Sequence, residues 1–241
     1  MIKILTIIGS RPQFIKASVL SNLIKKEKNI QETILHTGQH YDFNMSEIFF
    51  KQLKLPKPKY NLNTKSFYHG QMVAKMMIKI EKILLNKKYD LVLLYGDTNS
   101  TIAGALVGSK LHIPIVHVEA GLRSFNKKMP EEINRILTDH CSSLLFVPSI
   151  IAKKNLINEG INSNLIKNVG DIMFDLFKKH FYQKVKKTND ILVTIHRAEN
   201  TNSKKKLLNI AENLNNLSNI YKIIFPIHPR TLRALKKFKL L

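Results

Sequence analysis

The sequence predicts a doubly wound α/β protein whose second domain is incomplete. Three observations point there. Short runs rich in Ile, Val and Leu alternate with helical patterns along the 241 residues, as in chains built from β-α units. Most of these runs are apolar on both faces, as strands of a parallel sheet covered by helices must be. Six of them end in a polar cluster: Gly9-Ser10-Arg11-Pro12, Gln39-His40, Asp97-Thr98-Asn99-Ser100, Glu119-Ala120-Gly121-Leu122-Arg123, His196-Arg197 and His228-Pro229-Arg230. In an open parallel sheet the carboxyl ends of the strands face one crevice, where ligands bind. The clusters therefore predict a polar, anionic ligand across one sheet edge.

The first strand, 2–8, reads IKILTII, and a helix over 12–27 follows with Pro12 in its first turn. Proline is tolerated there because that N–H has no helical partner. A strand over 32–37 runs into Gly38-Gln39-His40, and helices are expected over 43–53 and 68–87. LVLLY is a strand over 91–95, and Asp97 or Thr98 can cap a helix over 99–110. PIVHV is a strand over 114–118, and Pro130-Glu131-Glu132 opens a helix over 131–143 with proline and acid in its first turn. Strands over 144–147 and 166–169 enclose a helix over 149–159, and a helix over 171–180 follows. Asn168-Val169-Gly170-Asp171 marks a domain boundary, dividing 1–168 from 169–241. Beyond it come a strand over 191–195, a helix over 204–217, a strand over 222–227 and a helix over 229–238. A free-standing doubly wound domain needs ~100–150 residues, more than this segment supplies. The chain is thus expected to stop partway through its second domain.

Hydrophobic content of 44% suits a globular protein with a buried core. No apolar run approaches the ~20 residues that span a bilayer, and no leader pattern precedes the first strand. The expected location is the cytoplasm. The single Cys141 forms no internal disulfide, and its apolar surroundings predict a buried structural thiol. The formal charge of +22 is extreme. Its lysines are scattered, and no basic stretch is interleaved with aromatics, so the pattern gives solvated faces and argues against nucleic acid as a partner. The nine histidines lack ligand spacing, so no metal is expected; His36 and His40 are four apart, but at a strand end and in a loop. There is no G-x-S-x-G nucleophile elbow.

Backbone N–H groups and the helix dipole after the first strand favour phosphate. Arg11 can hold a diphosphate through two N–H groups, and Lys16 adds a point charge. The bland alternative is an ordinary turn with a solvated arginine. Asp97 serves equally as an N-cap or as a functional carboxylate. Glu119 leaves an apolar strand, where a carboxylate is costly unless paired or functional; Arg123 is one candidate partner. Glu131 and Arg135 fall four apart on one helix face, which Asp139 extends, and the bland reading is a surface ion pair. His196-Arg197-Ala198-Glu199-Asn200 leaves a strand of the second half. Carboxylates from the first half with His and Arg from the second suggest a cleft where carboxylates move a proton on carbon while cations hold a phosphate leaving group.

Six motifs stand in order along the chain: Gly9-Ser10-Arg11-Pro12-Gln13-Phe14-Ile15-Lys16, His36-Thr37-Gly38-Gln39-His40, Gly96-Asp97-Thr98-Asn99-Ser100-Thr101, His117-Val118-Glu119-Ala120-Gly121-Leu122-Arg123, Met129-Pro130-Glu131-Glu132-Ile133-Asn134-Arg135 and Thr194-Ile195-His196-Arg197-Ala198-Glu199-Asn200. Together they resemble the non-hydrolysing UDP-N-acetylglucosamine 2-epimerases. The resemblance runs over essentially the whole chain. It implies two Rossmann-like domains of the GT-B type and no cofactor. It also implies a homodimer with a UDP-sugar substrate and no membrane partner. The implied reaction removes the C2 proton of a UDP-N-acetylhexosamine while UDP leaves C1. UDP then adds back to a 2-acetamidoglucal with C2 inverted, for surface polysaccharide precursors. By resemblance Asp97, Glu119 and Glu131 are the acid/base carboxylates, and His196 is a catalytic residue on the diphosphate side with Arg11. Lys16, Arg135 and His228 match substrate-binding positions. Gln39 and His40 match a region that binds an activating UDP-sugar.

Two departures stand out. Gln13 occupies a position where the commonest pattern has Glu, which leans toward the subgroup acting on UDP-diacetamido-glucuronate. The Ser-Gly-Gly loop that holds uridine and the final helices of the family are absent from these residues. The alternative function is therefore a non-catalytic remnant that binds UDP-sugar or pairs subunits.

Overall fold

The computed structural model describes residues 1–39, 50–64, 66, 68–181 and 188–240. The chain divides into two compact units, Met1–Tyr182 and Gln183–Leu241. The sequence reading placed the change at 168/169, where the sheet of the first unit ends. The helix Ile172–Phe181 lies with the first unit, against the helix Arg11–Ile24.

Among the described residues the first unit carries seven strands: β1 Ile2–Ile8, β2 Ile30–His36, β3 Tyr60–Asn61, β4 Leu91–Tyr95, β5 Ile115–Val118, β6 Leu144–Val147 and β7 Ile166–Asn168. They run parallel in the order β3-β2-β1-β4-β5-β6-β7. The helices are α1 Arg11–Ile24, α2 His69–Asn86, α3 Asn99–Lys110, α4 Pro130–Cys141, α5 Ile150–Asn158 and α6 Ile172–Phe181. The strand order reverses direction between β1 and β4, the switch point where such sheets bind ligands.

Period-two alternation sends each strand's residues to both faces. Leu5, Ile7, Leu35, Val92 and Leu94 pack on Met76, Ile80 and Leu84 of α2 and on Ala103, Ala105 and Val107 of α3. Ile4, Ile8, Ile34, Leu93, Tyr95 and Val118 pack on Phe14, Ala17 and Ile24 of α1. A third cluster joins Leu145, Val147 and Ile166 to Ala152 and Leu156 of α5. Each fully buried side chain of this size stabilises by about 1.5–3 kcal/mol. Cys141 is half-buried and packs beside the first cluster.

The second unit holds β8 Ile191–Leu192 and β9 Ile223–Ile224 as a parallel pair, with helices α7 Ala198–Thr201, α8 Lys204–Ser218 and α9 Pro229–Phe238. Its apolar centre is Leu207, Ala234 and Leu235, with Phe238 and Leu240 alongside.

The helices over 99–110 and 229–238 match the sequence reading, and the other expected helices apart from 43–53 lie within three residues of it; α7, Ala198–Thr201, was not expected. The strands expected over 191–195 and 222–227 shrink to two residues each, since each pairs on one side with a single short neighbour. β3 was not expected. Two residues after Pro56 and Pro58 carry no alternation, and their pairing comes from β2. The helix expected over 43–53 falls mostly outside the described residues, as does His40.

Candidate active site

β1, β4 and β5 are adjacent and parallel, so the turns after Ile8, Tyr95 and Val118 share one sheet edge. At the first turn, Gln13 is buried and closes the chain on itself. Its Oε1 accepts from the N–H groups of Gly9 (2.8 Å) and Ser10 (3.1 Å). Its Nε2 donates to the Tyr95 carbonyl (2.8 Å) and to Thr101 Oγ1 (2.9 Å). The position needs an acceptor and a donor on one side chain. A glutamine supplies both; an ionised glutamate supplies only the first. A Cβ on Gly9 would sit 2.0 Å from Thr37 Oγ1 and 2.1 Å from Ser100 Oγ. Glycine is therefore what lets β1, the end of β2 and α3 meet. Arg11 opens α1 at the surface.

Lys16, further along α1, forms an ion pair with Glu119. Glu119 takes a left-handed backbone, φ +72°. For a residue with a Cβ this costs about 1–3 kcal/mol and persists only where surroundings impose it. Here the N–H groups of Glu119 and Ala120 both donate to the Phe146 carbonyl, each at 3.0 Å. Gly96 is also left-handed, φ +61°. A Cβ on it would lie 3.5 Å from Lys16 Nζ and 3.9 Å from Glu119 Oε2, so the Asp97 turn and the Glu119 turn are neighbours. A cavity of about 200 Å³ borders Glu119, walled by Val19, Leu20, Val118, Phe146 and Ile172.

Asp97 Oδ2 accepts from Arg135 Nε at 3.0 Å, and its backbone carbonyl accepts from Asn134 Nδ2 at 2.9 Å. Arg135 also pairs with Glu132. The ion pair expected between Glu131 and Arg135 is therefore replaced. Arg135 turns inward to Asp97 and Glu132, and Glu131 stays exposed in the first turn of α4. Glu132 is buried and accepts from the N–H groups of Ser124 (2.9 Å) and Phe125 (2.8 Å). Burial alone pushes its carboxyl up; these hydrogen bonds and Arg135 outweigh that and hold it below the ordinary range.

Behind these residues lies a buried polar network. His117 Nε2 lies 2.8 Å from the Gly96 carbonyl, and Nδ1 lies 2.7 Å from Asp139 Oδ1. Asp139 Oδ2 accepts from the Gly121 N–H (3.1 Å) and from Arg123 (2.7 Å). Burial raises the Asp139 carboxyl, but His117 and Arg123 hold it below the ordinary range. Arg123 also clamps Glu159 through two bonds of 2.7 Å. It thus pairs with Asp139 and Glu159 and not with Glu119, because the turn after β5 carries it toward α4 and the end of α5. Asp139 turns into the core, away from the outer face expected for it.

The structure brings Asp97, Glu119, Lys16 and Arg135 together, with Arg11 on the same edge. Gln39 accepts from the N–H (3.1 Å) and Oγ (2.8 Å) of Ser100, tying the loop after β2 to the start of α3. In the second unit, His196 and His228 follow β8 and β9, with ring centroids 5.5 Å apart. His228 also caps α9, its Nδ1 accepting from the Arg230 N–H at 3.1 Å. Sequence reasoning missed Gln13 as a latch, His117 as a strap and Glu132 as the partner of Arg135. A histidine pointing inward from an apolar strand two residues before Glu119 was the available signal. Among the described residues, no group of three or more His, Cys, Asp or Glu stands together to hold a metal ion. Nor is any described helix long and apolar enough to cross a membrane.

Comparison with known proteins gives a consistent answer. A sequence model described as UDP-N-acetylglucosamine 2-epimerase matches residues 22–240. The chain is 54% identical over 255 residues to a UDP-N-acetylglucosamine 2-epimerase homolog of Methanococcus maripaludis, covering 99% of this chain and 69% of the relative. It is 51% identical over 247 residues to UDP-2,3-diacetamido-2,3-dideoxy-D-glucuronate 2-epimerase of Pseudomonas aeruginosa, covering 99% and 70%. Among solved structures, the UDP-GlcNAc 2-epimerase of Methanocaldococcus jannaschii in complex with UDP-GlcNAc and UDP superposes with a TM-score of 0.88 at 49% identity, over 99% of this chain and 69% of that one.

Proposed function

This chain belongs to the UDP-N-acetylglucosamine 2-epimerase family, and from that premise we propose that it inverts C2 of a UDP-N-acetylhexosamine. The observation that carries the reading is the pair of neighbouring strand ends that present Asp97 and Glu119, each beside its own cation. Elimination needs a base for the C2 proton. As the C2–H and C1–O bonds break, their electrons form the C1=C2 bond and leave with UDP. Re-addition joins a diphosphate oxygen to C1 and returns a proton to the opposite face of C2. Inversion thus asks for proton-transfer groups on two faces of one carbon, and Asp97, Glu119 and Glu131 are the candidates.

Arg11, Lys16 and Arg135 compensate the charge that gathers on carboxylates and leaving diphosphate. His196 is assigned to the diphosphate side with Arg11, and His228 to substrate binding. Gln39 and His40 are assigned to a second UDP-sugar. The first unit, Met1–Tyr182, supplies the carboxylates, and Gln183–Leu241 begins the second domain. Identities of 51% to the diacetamido-glucuronate enzyme and 49% to the UDP-GlcNAc 2-epimerase of Methanocaldococcus jannaschii favour one of those two sugars as substrate, with product going to surface polysaccharide. A cytoplasmic homodimer completes the reading.

The test is incubation of each UDP-sugar with the chain, following UDP and 2-acetamidoglucal by NMR. Appearance of both alongside the C2 epimer supports the proposal. UDP binding without either product would assign a binding role instead.

A further inference from the structure

The opposite edge of the same sheet carries a second polar feature. A cavity of about 230 Å³ opens at the amino ends of β1 and β2, lined by Lys3, Gln31, Thr33, Lys59, Lys87, Lys88 and Tyr89. Four different stretches of chain supply these residues: the starts of β1 and β2, the approach to β3 and the exit from α2. Among the described residues, no carboxylate lines it. Of the two adjacent in sequence, Asp90 spends one oxygen on the Lys3 N–H at 2.6 Å, and Glu32 accepts from the hydroxyls of Thr6 and Ser21. Most lysines of this chain sit apart on solvated faces, but here four ammonium groups border one depression, where like charges repel.

Two phenols add to the asymmetry. Lys87 Nζ lies 6.0 Å from the centre of the Tyr60 ring. The Tyr60 hydroxyl is shielded from solvent and has no hydrogen bond of good geometry, although Tyr89 and Lys87 stand beside it. Burial raises the Tyr60 phenol, but Tyr89, Lys87 and Lys59 together bring it below its ordinary value. Burial and the Tyr60 hydroxyl push Tyr89 up to about 12. The neighbouring lysines thus favour negative charge at Tyr60, while Tyr89 stays a neutral donor.

We propose that this cavity is a binding site for a small phosphate-type polyanion of diphosphate size, separate from the Asp97–Glu119 edge. Lys59 and Lys87 are its principal cations, Lys3 and Lys88 its outer pair, and Tyr89 a neutral hydrogen-bond donor. Multiple ammonium contacts suit a compact, highly charged anion, and such binding weakens as salt rises.

The experiment is calorimetric titration of the full chain with inorganic phosphate and with pyrophosphate at low salt, alongside a tyrosinate absorbance titration. The same measurements are made on Lys59→Gln/Lys87→Gln, Lys154→Gln and Tyr60→Phe; Lys154 is an exposed lysine of α5. Pyrophosphate should bind more tightly than phosphate and shift the Tyr60 ionisation upward, a change missing in Tyr60→Phe. The double lysine variant should weaken pyrophosphate binding by about tenfold or more, and Lys154→Gln should retain it. Undiminished binding in the double variant, an equal loss in Lys154→Gln, an unmoved Tyr60 signal, or no binding to the unaltered chain would each overturn the proposal.

Discussion

Helix α4 carries two kinds of carboxylate, and their difference explains how the site is built. Glu132 and Asp139 face inward. Each takes several hydrogen bonds, each is matched by an arginine, and each is held below the ordinary carboxylate range despite burial. Glu131, beside Glu132, remains exposed. The same division runs along the sheet edge, where Asp97 and Glu119 each keep one cation and partial access to solvent. Saturated carboxylates fix the frame, while accessible ones remain available for proton transfer.

Removing a saturated carboxylate should produce the largest effect. Asp139→Ala strips partners from His117 and Arg123 inside the core. Breaking a buried pair on one side costs about 3–5 kcal/mol, read as a lower denaturant midpoint. Little change in that midpoint would mean that water reaches this network. Acid should probe the same residues. Their folded pKa values are depressed, so their contribution is complete above the ordinary values of 3.8 and 4.5 and is lost as pH falls through the folded ones. Melting temperature should drop over that acid window.

The next effect concerns Gln13. Gln13→Glu keeps the acceptor for Gly9 and Ser10 but places a carboxylate against the Tyr95 carbonyl. An ionised glutamate there sets its charge against a carbonyl that keeps only the Thr101 hydroxyl bond (2.9 Å), and should cost about 1–3 kcal/mol, with acidification recovering part of it. A fully stable variant at neutral pH would show that the turn rearranges. Smaller still, Ser149→Ala removes the cap of α5, whose Oγ accepts from the Ala152 N–H at 3.1 Å. The expected loss is about 1 kcal/mol.

Glu32 should show the opposite sign. Burial raises its carboxyl, and the hydrogen bonds from Thr6 and Ser21 do not offset this. A raised carboxylate weakens folding once ionised and is relieved as pH falls through its folded value. Glu32→Gln keeps the acceptor and should raise stability slightly at neutral pH, with the gain fading in acid. Thermal melts of both proteins across pH check the sign.

The first sheet, apart from β3, was legible in the sequence because most of its strands are apolar on both faces and punctuated by glycine and polar turns. The site was legible as a set of strand ends, which placed Arg11, Asp97 and Glu119 on one edge. What stayed hidden were the partners. Spacing of four on a helix suggested Glu131 with Arg135, but Arg135 is drawn inward by Asp97 and Glu132, which spacing does not weigh. Arg123 looked like a partner for Glu119, yet Lys16 takes that place from another helix. Long-range pairing depends on where the sheet brings α1, α4 and α5, and no local pattern records it. The two-residue strands of the second unit are short for the same reason: pairing decides their length, and among the described residues each has one neighbour.

The central claim is that accessible carboxylates at neighbouring strand ends act on the C2 proton. The most direct measurement is solvent deuterium incorporation at C2 of a UDP-N-acetylhexosamine, comparing the unaltered chain with Glu119→Gln and Asp97→Asn and measuring UDP affinity in parallel. Each substitution should slow incorporation by about a hundredfold or more with UDP affinity nearly unchanged. Deuterium entering C2 at the unaltered rate in both variants would contradict the account.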